Sequence, residues 1–225
     1  MTCRPTIDAV IVFDLDDTLY LERDYVESGL HAVGRWMERQ LGIAHAGGAM
    51  VEQFRAGARG HLFDAALASA GVPDAEGLIP RMVQVYRQHR PAITLAEDAM
   101  RFLSHRPGRT GFAIITDGYL DAQRRKIRAL GLHRLGVEIA VCTDRWGRQD
   151  WKPARRAFER VQSFFALPAS AFAYVADNPE KDFVAPRRMG WRTVQINRPG
   201  RLREGVATPA DPAEREIDSF DGLLA

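Results

Sequence analysis

The stretch from Ala9 to Leu19 reads AVIVFDLDDTL, in which a short apolar run passes directly into acidic residues. A continuous apolar run rich in β-branched residues is typical of a central parallel strand, because both faces of such a strand are covered. We predict a strand from Ala9 to Phe13 that ends at Asp14. The acidic residues then fall at the carboxyl end of a strand, where sheets of this kind bind their ligands.

Four similar runs follow, and each also passes into polar residues: Gly111 to Ile115, Val137 to Cys142, Ala171 to Ala176 and Thr193 to Ile196. Segments with helical spacing lie around them: Ala96 to His105, Leu120 to Leu130, Pro153 to Phe165 and Lys181 to Met189. Strands that alternate with helices indicate right-handed βαβ crossovers. The sequence therefore predicts an α/β fold with a doubly wound parallel sheet.

One interval breaks this alternation, since residues 20–91 show helical patterns and no convincing strand. The patterns cover Tyr25 to Leu41, Met50 to Gly71 and Leu78 to His89. This stretch is too long for a simple crossover. We expect residues 20–91 to form an inserted α-helical cap domain, and residues 1–19 and 92–225 to form the catalytic core. A cap that covers the strand ends can exclude water from the site.

The composition indicates no macromolecular partner. Lys and Arg together number 31, Asp and Glu number 29, and the formal net charge is +2. This balance supplies no general field that would attract nucleic acid or an anionic membrane. The first apolar run is also too short for a signal-peptide core or a membrane span. We therefore expect a cytoplasmic protein that binds neither nucleic acid nor membranes.

Asp14 and Asp16 lie two residues apart, and the period of a strand places their side chains on one side. Such a pair suits phosphoryl transfer, in which one carboxylate attacks phosphorus and the other exchanges a proton with the leaving oxygen and then with water. A carboxylate that attacks a phosphate dianion needs its charge neutralised. Mg²⁺ serves this purpose with carboxylates, water and the substrate phosphate as ligands.

The other strand ends carry groups that suit the same chemistry. Thr116 can donate a hydroxyl hydrogen bond to phosphate, and the backbone amides of Asp117 and Gly118 lie near a helix start. Lys152 offers a positive charge, and the acidic stretch from Asp177 to Asp182 offers a further metal ligand. A parallel sheet can bring these groups together in the order in which they occur.

Four segments resemble the successive motifs of the haloacid dehalogenase-like hydrolase superfamily: DLDDTL from Asp14, IITDG up to Gly118, WKP around Lys152 and VADNPEKD up to Asp182. The whole chain resembles the members in which an α-helical cap is inserted after the first motif, above a Rossmann-like core. Each motif alone is a weak signal. Four motifs in the right order, each after a strand, make a chance match improbable.

The resemblance implies a role for each acidic residue of the motifs. Asp14 would be the nucleophile and a Mg²⁺ ligand. Asp16 would be the acid/base and would also lend its main-chain carbonyl to the metal. Asp177 would complete the protein's share of the metal ligands, while Asp182 would orient either Lys152 or a metal-bound water. An acid at the start of a helix is an alternative interpretation of Asp182.

The resemblance also implies that Thr116, the adjoining Asp117 and Lys152 hold the substrate phosphate. One departure is Ala176, because a glycine is usual before the acid of the fourth motif. An alanine there leaves less room for a close backbone approach.

Membership of this superfamily does not fix the reaction, since it includes dehalogenases, mutases and phosphonate hydrolases besides phosphatases. The family's haloacid dehalogenases lack an acid at the position of Asp16 and need no metal, so the acidic pair favours phosphoryl chemistry. Its phosphonate hydrolases supply a lysine from the cap. Residues 20–91 contain no lysine, so the sequence does not favour a phosphonate hydrolase unless the lysine comes from another part of the chain.

The leading interpretation is therefore a Mg²⁺-dependent phosphatase that acts on a small phosphorylated metabolite through an aspartyl phosphate. A phosphosugar mutase with the same core residues is one alternative. A non-catalytic phosphate-binding module similar to a receiver domain is another, although receivers carry their phosphoacceptor on a later strand and have no helical insertion.

Two basic segments show no pattern that links them to this site. The run Arg124, Arg125, Lys126 and Arg128 on the helix after the second motif is predicted to be a solvated face. The segment from Arg198 to Glu214 is rich in Pro, Gly and Arg and is predicted to be a surface loop.

Overall fold

The apolar runs of the sequence form parallel strands. The computed structural model describes residues 6–72, 77–202 and 211–223. Within these residues the strands are β1 (Ala9–Phe13), β2 (Thr110–Thr116), β3 (Val137–Cys142), β4 (Phe172–Ala176), β5 (Arg192–Ile196) and β6 (Arg215–Ile217). They form one sheet in the order β3-β2-β1-β4-β5-β6, and each neighbouring pair is parallel. The predicted α/β fold with a doubly wound parallel sheet is confirmed.

The first strand, β1, lies in the middle of this sheet. Val12 is in register with Ala113 of β2 on one side and with Tyr174 of β4 on the other. The ring of Phe13 is fully buried and meets three further rings edge to face, those of Phe102, Phe112 and Phe220. Because β1 is central, the residue that follows it lies between the segments that follow β2 and β4.

The helices in the described part of the chain fall close to the predicted segments. They are α1 (Glu22–Leu41), α2 (Ala46–Arg55), α3 (Leu62–Ser69), α4 (Leu78–Gln88), α5 (Glu97–Ser104), α6 (Leu120–Ala129), α7 (Arg156–Phe165) and α8 (Val184–Arg188). The single pattern from Met50 to Gly71 becomes two helices, because Gly57 and Gly60 have φ angles of +98° and +74°. None of the helices described is long and apolar enough to cross a membrane.

The prediction that a helix starts at Pro153 is wrong. Helix α7 begins only at Arg156, and the preceding residues form a turn in which the amide of Ala154 donates to the carbonyl of Trp151. The backbone amide of Lys152 donates to Oδ1 of Asp117 at 3.1 Å. This bond fixes Lys152 in a loop beside the end of β2.

The chain divides into two compact units, one formed by Met1–Glu22 with Thr94–Ala225 and the other by Arg23–Ile93. The first unit contains the sheet, and the described secondary structure of the second is helical. The predicted helical insertion between β1 and β2 is thus confirmed. That this insertion acts as a cap stays a prediction. Inside the second unit α1 and α2 approach closely, since a Cβ on Gly34 would lie 2.4 Å from the backbone of Gly47.

Of the predicted surface loop from Arg198 to Glu214, residues 203–210 lie outside the described residues. The prediction is wrong for Arg198, because its side chain is buried. Its guanidinium donates to both carboxylate oxygens of Asp98, at 2.9 and 3.0 Å, and to the carbonyl of Thr18 at 2.8 Å. Asp98 also accepts from the amide of Phe220 at 2.7 Å. These bonds tie the segment after β5 to α5 and to the turn that follows β1.

Candidate active site

Asp14 is held at the carboxyl end of β1 by its backbone amide, which donates to the carbonyl of Val175 at 2.9 Å. Its buried carboxylate accepts a hydrogen bond from Nζ of Lys152 at 2.7 Å. Burial raises the pKa of Asp14 to about 6, although the charge of Lys152 opposes the rise. Asp14 is therefore a carboxylate that the protein has removed from water and placed against a cation.

Lys152 connects Asp14 to the fourth motif. Its ammonium lies 2.7 Å from Oδ1 of Asp182 and donates to the hydroxyl of Tyr174 at 3.1 Å. Burial by itself would lower the pKa of Lys152, but the two carboxylates outweigh burial and hold that pKa well above its ordinary value. Lys152 thus remains a cation inside the protein.

Three buried carboxylates form a cluster that can hold a metal ion, and they belong to Asp14, Asp177 and Asp182. One oxygen from each lies within 4.8 Å of the others. Burial first, and then the charges of Asp182 and Asp14, raise the pKa of Asp177 well above its ordinary value. A divalent cation with a preference for oxygen ligands would neutralise this charge, so the cluster fits Mg²⁺.

Asp182 has both carboxylate oxygens engaged with other groups. Oδ1 lies against Lys152, and Oδ2 accepts from the backbone amide of Asn178 at 3.0 Å. Helix α8 begins only at Val184, two residues later. These contacts place Asp182 where it fixes the position of Lys152.

Thr116 and Asp117, at the end of β2, present different groups to the site. The hydroxyl of Thr116 accepts from Nε2 of Gln123 at 2.7 Å, and its own hydrogen makes only a long contact of 3.4 Å to the carbonyl of Asp117. The carboxylate of Asp117 accepts from Thr143 Oγ1 at 2.8 Å and from Lys181 Nζ at 2.7 Å. The hydroxyl of Thr116 can therefore turn towards an anion, whereas an anion could approach Asp117 only at its backbone.

The carboxylate of Asp16 is surrounded by donors. Lys126 Nζ lies 2.7 Å from Oδ1 and 2.8 Å from Oδ2, and Gln123 Nε2 donates to Oδ2 at 2.8 Å. The hydroxyl of Tyr20 also donates to Oδ1. Burial raises the pKa of Asp16, but Lys126 and the hydrogen bonds outweigh it, so the net shift is downward. Asp16 is held as an anion.

The prediction that Lys126 belongs to a solvated face is therefore wrong. Its side chain is buried, whereas Arg124 and Arg128 of the same helix are exposed. The helical spacing of the sequence distinguishes Lys126 from these two arginines. Lys126 follows Ala122 by four residues and precedes Leu130 by four, so it lies on the apolar face of α6.

The matched residues of the four motifs thus form two connected groups. In the first group the carboxylates of Asp14, Asp177 and Asp182 lie together, and those of Asp14 and Asp182 contact the ammonium of Lys152. In the second group Gln123 links Thr116 to Asp16. Both groups lie in the unit that contains the sheet.

A family model described as haloacid dehalogenase-like hydrolase matches residues 9–190 of the chain. That range holds all four motifs. This chain belongs to the haloacid dehalogenase-like hydrolases. The predicted resemblance is confirmed, and the helical insertion between β1 and β2 agrees with the predicted subgroup.

The hydrolase is similar to a curated phosphoserine phosphatase of Thermus thermophilus, with 29% identity over 153 residues. The match covers 67% of this chain and 59% of the relative, so the chain spans somewhat more than half of that protein's length.

Solved structures share the fold over nearly the full chain. A 2-haloacid dehalogenase from Pseudomonas syringae matches with a TM-score of 0.62 at 22% identity, and the match covers 97% of both chains. A magnesium-bound haloacid dehalogenase-like (HAD) hydrolase from Bacillus subtilis also has a TM-score of 0.62, at 18% identity and with 97% of both chains covered. A HAD-superfamily hydrolase from Geobacter sulfurreducens reaches 0.64 at 15% identity and covers 99% of this chain and 97% of its own. At these identities the likeness is one of fold.

Proposed function

We propose that this hydrolase is a Mg²⁺-dependent phosphatase that cleaves a small phosphorylated metabolite through an aspartyl phosphate on Asp14. The observation that supports it most is the cluster of Asp14, Asp177 and Asp182, two of which, Asp14 and Asp182, contact the buried ammonium of Lys152. A nucleophilic carboxylate that attacks a phosphate dianion must overcome like-charge repulsion. Lys152, together with a divalent cation held by these carboxylates, would meet that requirement.

Asp14 and Asp177 would hold the Mg²⁺, together with the main-chain carbonyl of Asp16. When bound, the ion would supply positive charge for the phosphate and help to orient it. Lys152, the hydroxyl of Thr116 and the backbone amide of Asp117 would hold the remaining phosphate oxygens. Such donors act most strongly where charge develops in the transition state.

The reaction would proceed in two steps at the same phosphorus. An oxygen of Asp14 forms a bond to phosphorus, the bond to the ester oxygen breaks, and the leaving alcohol takes a proton from Asp16. In the second step Asp16 takes a proton from water as that water attacks the phosphorus of the aspartyl phosphate. Inorganic phosphate leaves, Asp14 is again an anion, and Asp16 carries the proton that the first step of the next cycle would use.

In the absence of substrate, the surroundings of Asp16 favour its role as a base. Lys126, Gln123 and Tyr20 stabilise the anion, which is the form that removes a proton from water. A leaving group that departs without protonation needs only this form. We therefore expect esters with good leaving groups to be the easiest substrates, and esters of ordinary alcohols to depend more on protonation of Asp16.

The experiment that tests this function is a screen of phosphorylated metabolites for phosphate release, run with Mg²⁺, with EDTA and with Mg²⁺ restored. A parallel assay measures halide release from 2-haloacids. We expect phosphate release that EDTA abolishes and Mg²⁺ restores, without halide release. Metal-independent halide release with every phosphate ester inert would contradict the proposal.

Time courses separate the phosphatase from the phosphosugar mutase that shares these residues. A phosphatase releases phosphate until the substrate is exhausted, whereas a mutase returns the phosphoryl group to the sugar. If the folded protein with metal present neither releases phosphate nor transfers a phosphoryl group within a sugar phosphate, a non-catalytic phosphate-binding module would be favoured.

A further inference from the structure

A lysine and a glutamine on one face of α6 hold the carboxylate of Asp16. Gln123 and Lys126 lie three residues apart, which places them on neighbouring turns of the same face. Their exposed fractions are 1% and 4%. Lys126 touches both oxygens of Asp16, and Gln123 donates to Oδ2.

The burial of Lys126 needs a reason, because a lysine on a helix can extend its amine to water at little cost. The neighbouring arginines at 124 and 128 are exposed on the same helix. Removing an ammonium from water is costly unless a well-aligned partner compensates it. Here the partner is Asp16, and contact with both of its oxygens fixes the plane of the carboxylate.

A fixed carboxylate matters because proton transfer depends strongly on geometry, and a displacement of about 1 Å can cost about 100-fold in rate. We propose that Lys126 is a positioning residue, which together with Gln123 orients the Asp16 carboxylate for the hydrolysis of the aspartyl phosphate. This inference rests on the proposed phosphatase function.

The contacts of Gln123 extend the same arrangement to the phosphate site. Its Nε2 donates to Asp16 Oδ2 at 2.8 Å and to Thr116 Oγ1 at 2.7 Å. The acid/base and the phosphate-binding hydroxyl are thus held by one side chain of α6. The bonds of Lys126 described above are to Asp16, so its replacement should act on proton transfer more than on phosphate binding.

The test compares Lys126→Met and Lys126→Arg with Arg128→Met, which removes an exposed charge from the same helix. Each variant and the parent are mixed with nitrophenyl phosphate and Mg²⁺. Steady-state rates give kcat and KM, and intact-mass spectrometry after an acid quench gives the fraction of enzyme that carries a phosphoryl group. Circular dichroism and thermal melting verify the fold.

We expect Lys126→Met to lower kcat by about 10- to 100-fold while KM falls or stays unchanged, and to raise the phosphorylated fraction during turnover. Slow hydrolysis of the aspartyl phosphate causes both effects. Lys126→Arg keeps the charge but alters the contact, so it should give a smaller change in the same direction. Arg128→Met should match the parent.

If folded Lys126→Met has the same phosphorylated fraction during turnover as the parent, the positioning role is overturned. This holds even if the variant melts at a lower temperature. If Lys126→Met does not fold, the same comparison is made with Lys126→Arg. Loss of the fold in both variants would assign Lys126 to stability alone and would also overturn the proposal. A parent enzyme that never becomes phosphorylated would instead contradict the proposed function.

Discussion

Asp14 and Asp16 lie two residues apart, and the net pKa shifts of their carboxyl groups are in opposite directions. Burial raises the pKa of Asp14 to about 6 against the opposing charge of Lys152. For Asp16, burial acts in the same direction, but the charge of Lys126 and hydrogen bonds from three side chains, that of Lys126 among them, produce a net lowering of the pKa. Paired carboxylates whose surroundings separate their pKa values can take different roles in one reaction. The lowered pKa of Asp16 favours the anion, which is the form that would act as base in the second step.

Replacement of the nucleophile tests the first of these roles. We expect Asp14→Asn to lower phosphate release by several orders of magnitude, because an amide is neither a competent nucleophile nor an anionic metal ligand. The fold should survive, because Lys152 keeps its contact with Asp182. Steady-state phosphate release and circular dichroism measure the two effects. A folded variant that keeps a substantial part of the parent rate would reject Asp14 as nucleophile.

Replacement of Asp16 tests the second role through the leaving group. We expect Asp16→Asn to lose most activity on alkyl phosphates, for which both steps need proton transfer. With nitrophenyl phosphate the first step needs no acid, so a burst of nitrophenol should precede slow turnover. Stopped-flow absorbance measures this burst. Parent-like rates on alkyl phosphates would show that Asp16 is not the acid/base.

Asp16→Asn also removes the carboxylate that the buried ammonium of Lys126 contacts. A broken buried pair typically costs about 3–5 kcal/mol, so the variant should unfold at a lower urea concentration than the parent. Asp16→Asn combined with Lys126→Met removes both charges and serves as the matched control. The double variant should recover part of the lost stability.

At the scale of the elements, the strands and their ends could be predicted well because the signal is local. The run from Ala9 to Phe13 is continuous in the sequence, and the polar residues that follow each strand mark the edge where the site forms. The contacts of Lys126 and Arg198 could not be predicted in the same way. Their partners, Asp16 and Asp98, lie 110 and 100 residues away in the chain. Only the folded sheet brings these charges together.

The pair formed by Arg198 and Asp98 joins α5 to the segment after β5. We expect Arg198→Met to lower the free energy of unfolding by about 3–5 kcal/mol, because it leaves Asp98 buried without its cation. Urea denaturation at neutral pH measures the loss. Arg198→Met with Asp98→Asn is the matched control and should be less destabilised. Equal stability of the single variant and the parent would show that the pair contributes nothing.

The pH dependence of stability gives a second test of the same pair. Burial raises the pKa of Asp98, but Arg198 and backbone donors outweigh burial and hold it below its ordinary value of 3.8. A lowered pKa in the folded state contributes stability above the ordinary value, and this stability is lost as the pH falls through the folded-state pKa. Asp98→Asn should therefore flatten the acid limb of the stability curve below about pH 3.8. If Asp98→Asn has the same acid limb as the parent, the lowered pKa of Asp98 is contradicted.

At the scale of the whole molecule, the strand order explains why four distant motifs form one site. β1 lies between β2 and β4, so Asp14 meets the residues that follow both neighbours. The substrate is harder to predict, because residues 23–93 show helical periodicity but no group with a distinctive chemical role. The sequence therefore indicates the reaction more clearly than the metabolite.

Metal binding should stabilise the whole fold. A ligand that binds only the folded state at about 100 times its Kd adds about 2.7 kcal/mol to stability. We expect Mg²⁺ to raise the melting temperature of the parent, and EDTA to reverse the rise, because the cation relieves repulsion among buried carboxylates. Asp177→Asn should lose most of this shift. Asp121→Asn removes an exposed carboxylate from α6 and should keep it. A Mg²⁺ effect that Asp177→Asn leaves intact would place the metal elsewhere.

The covalent intermediate on Asp14 is the central claim, and peptide mapping of a trapped intermediate tests it most directly. Asp16→Asn is mixed with nitrophenyl phosphate and Mg²⁺, quenched in acid within the first turnover, digested and analysed by tandem mass spectrometry. We expect one phosphoryl group on the peptide that contains Asp14, located on that residue, and none when Asp14→Asn is added to the variant. Release of nitrophenol with no phosphorylated peptide, or with the phosphoryl group on another residue, would contradict the mechanism.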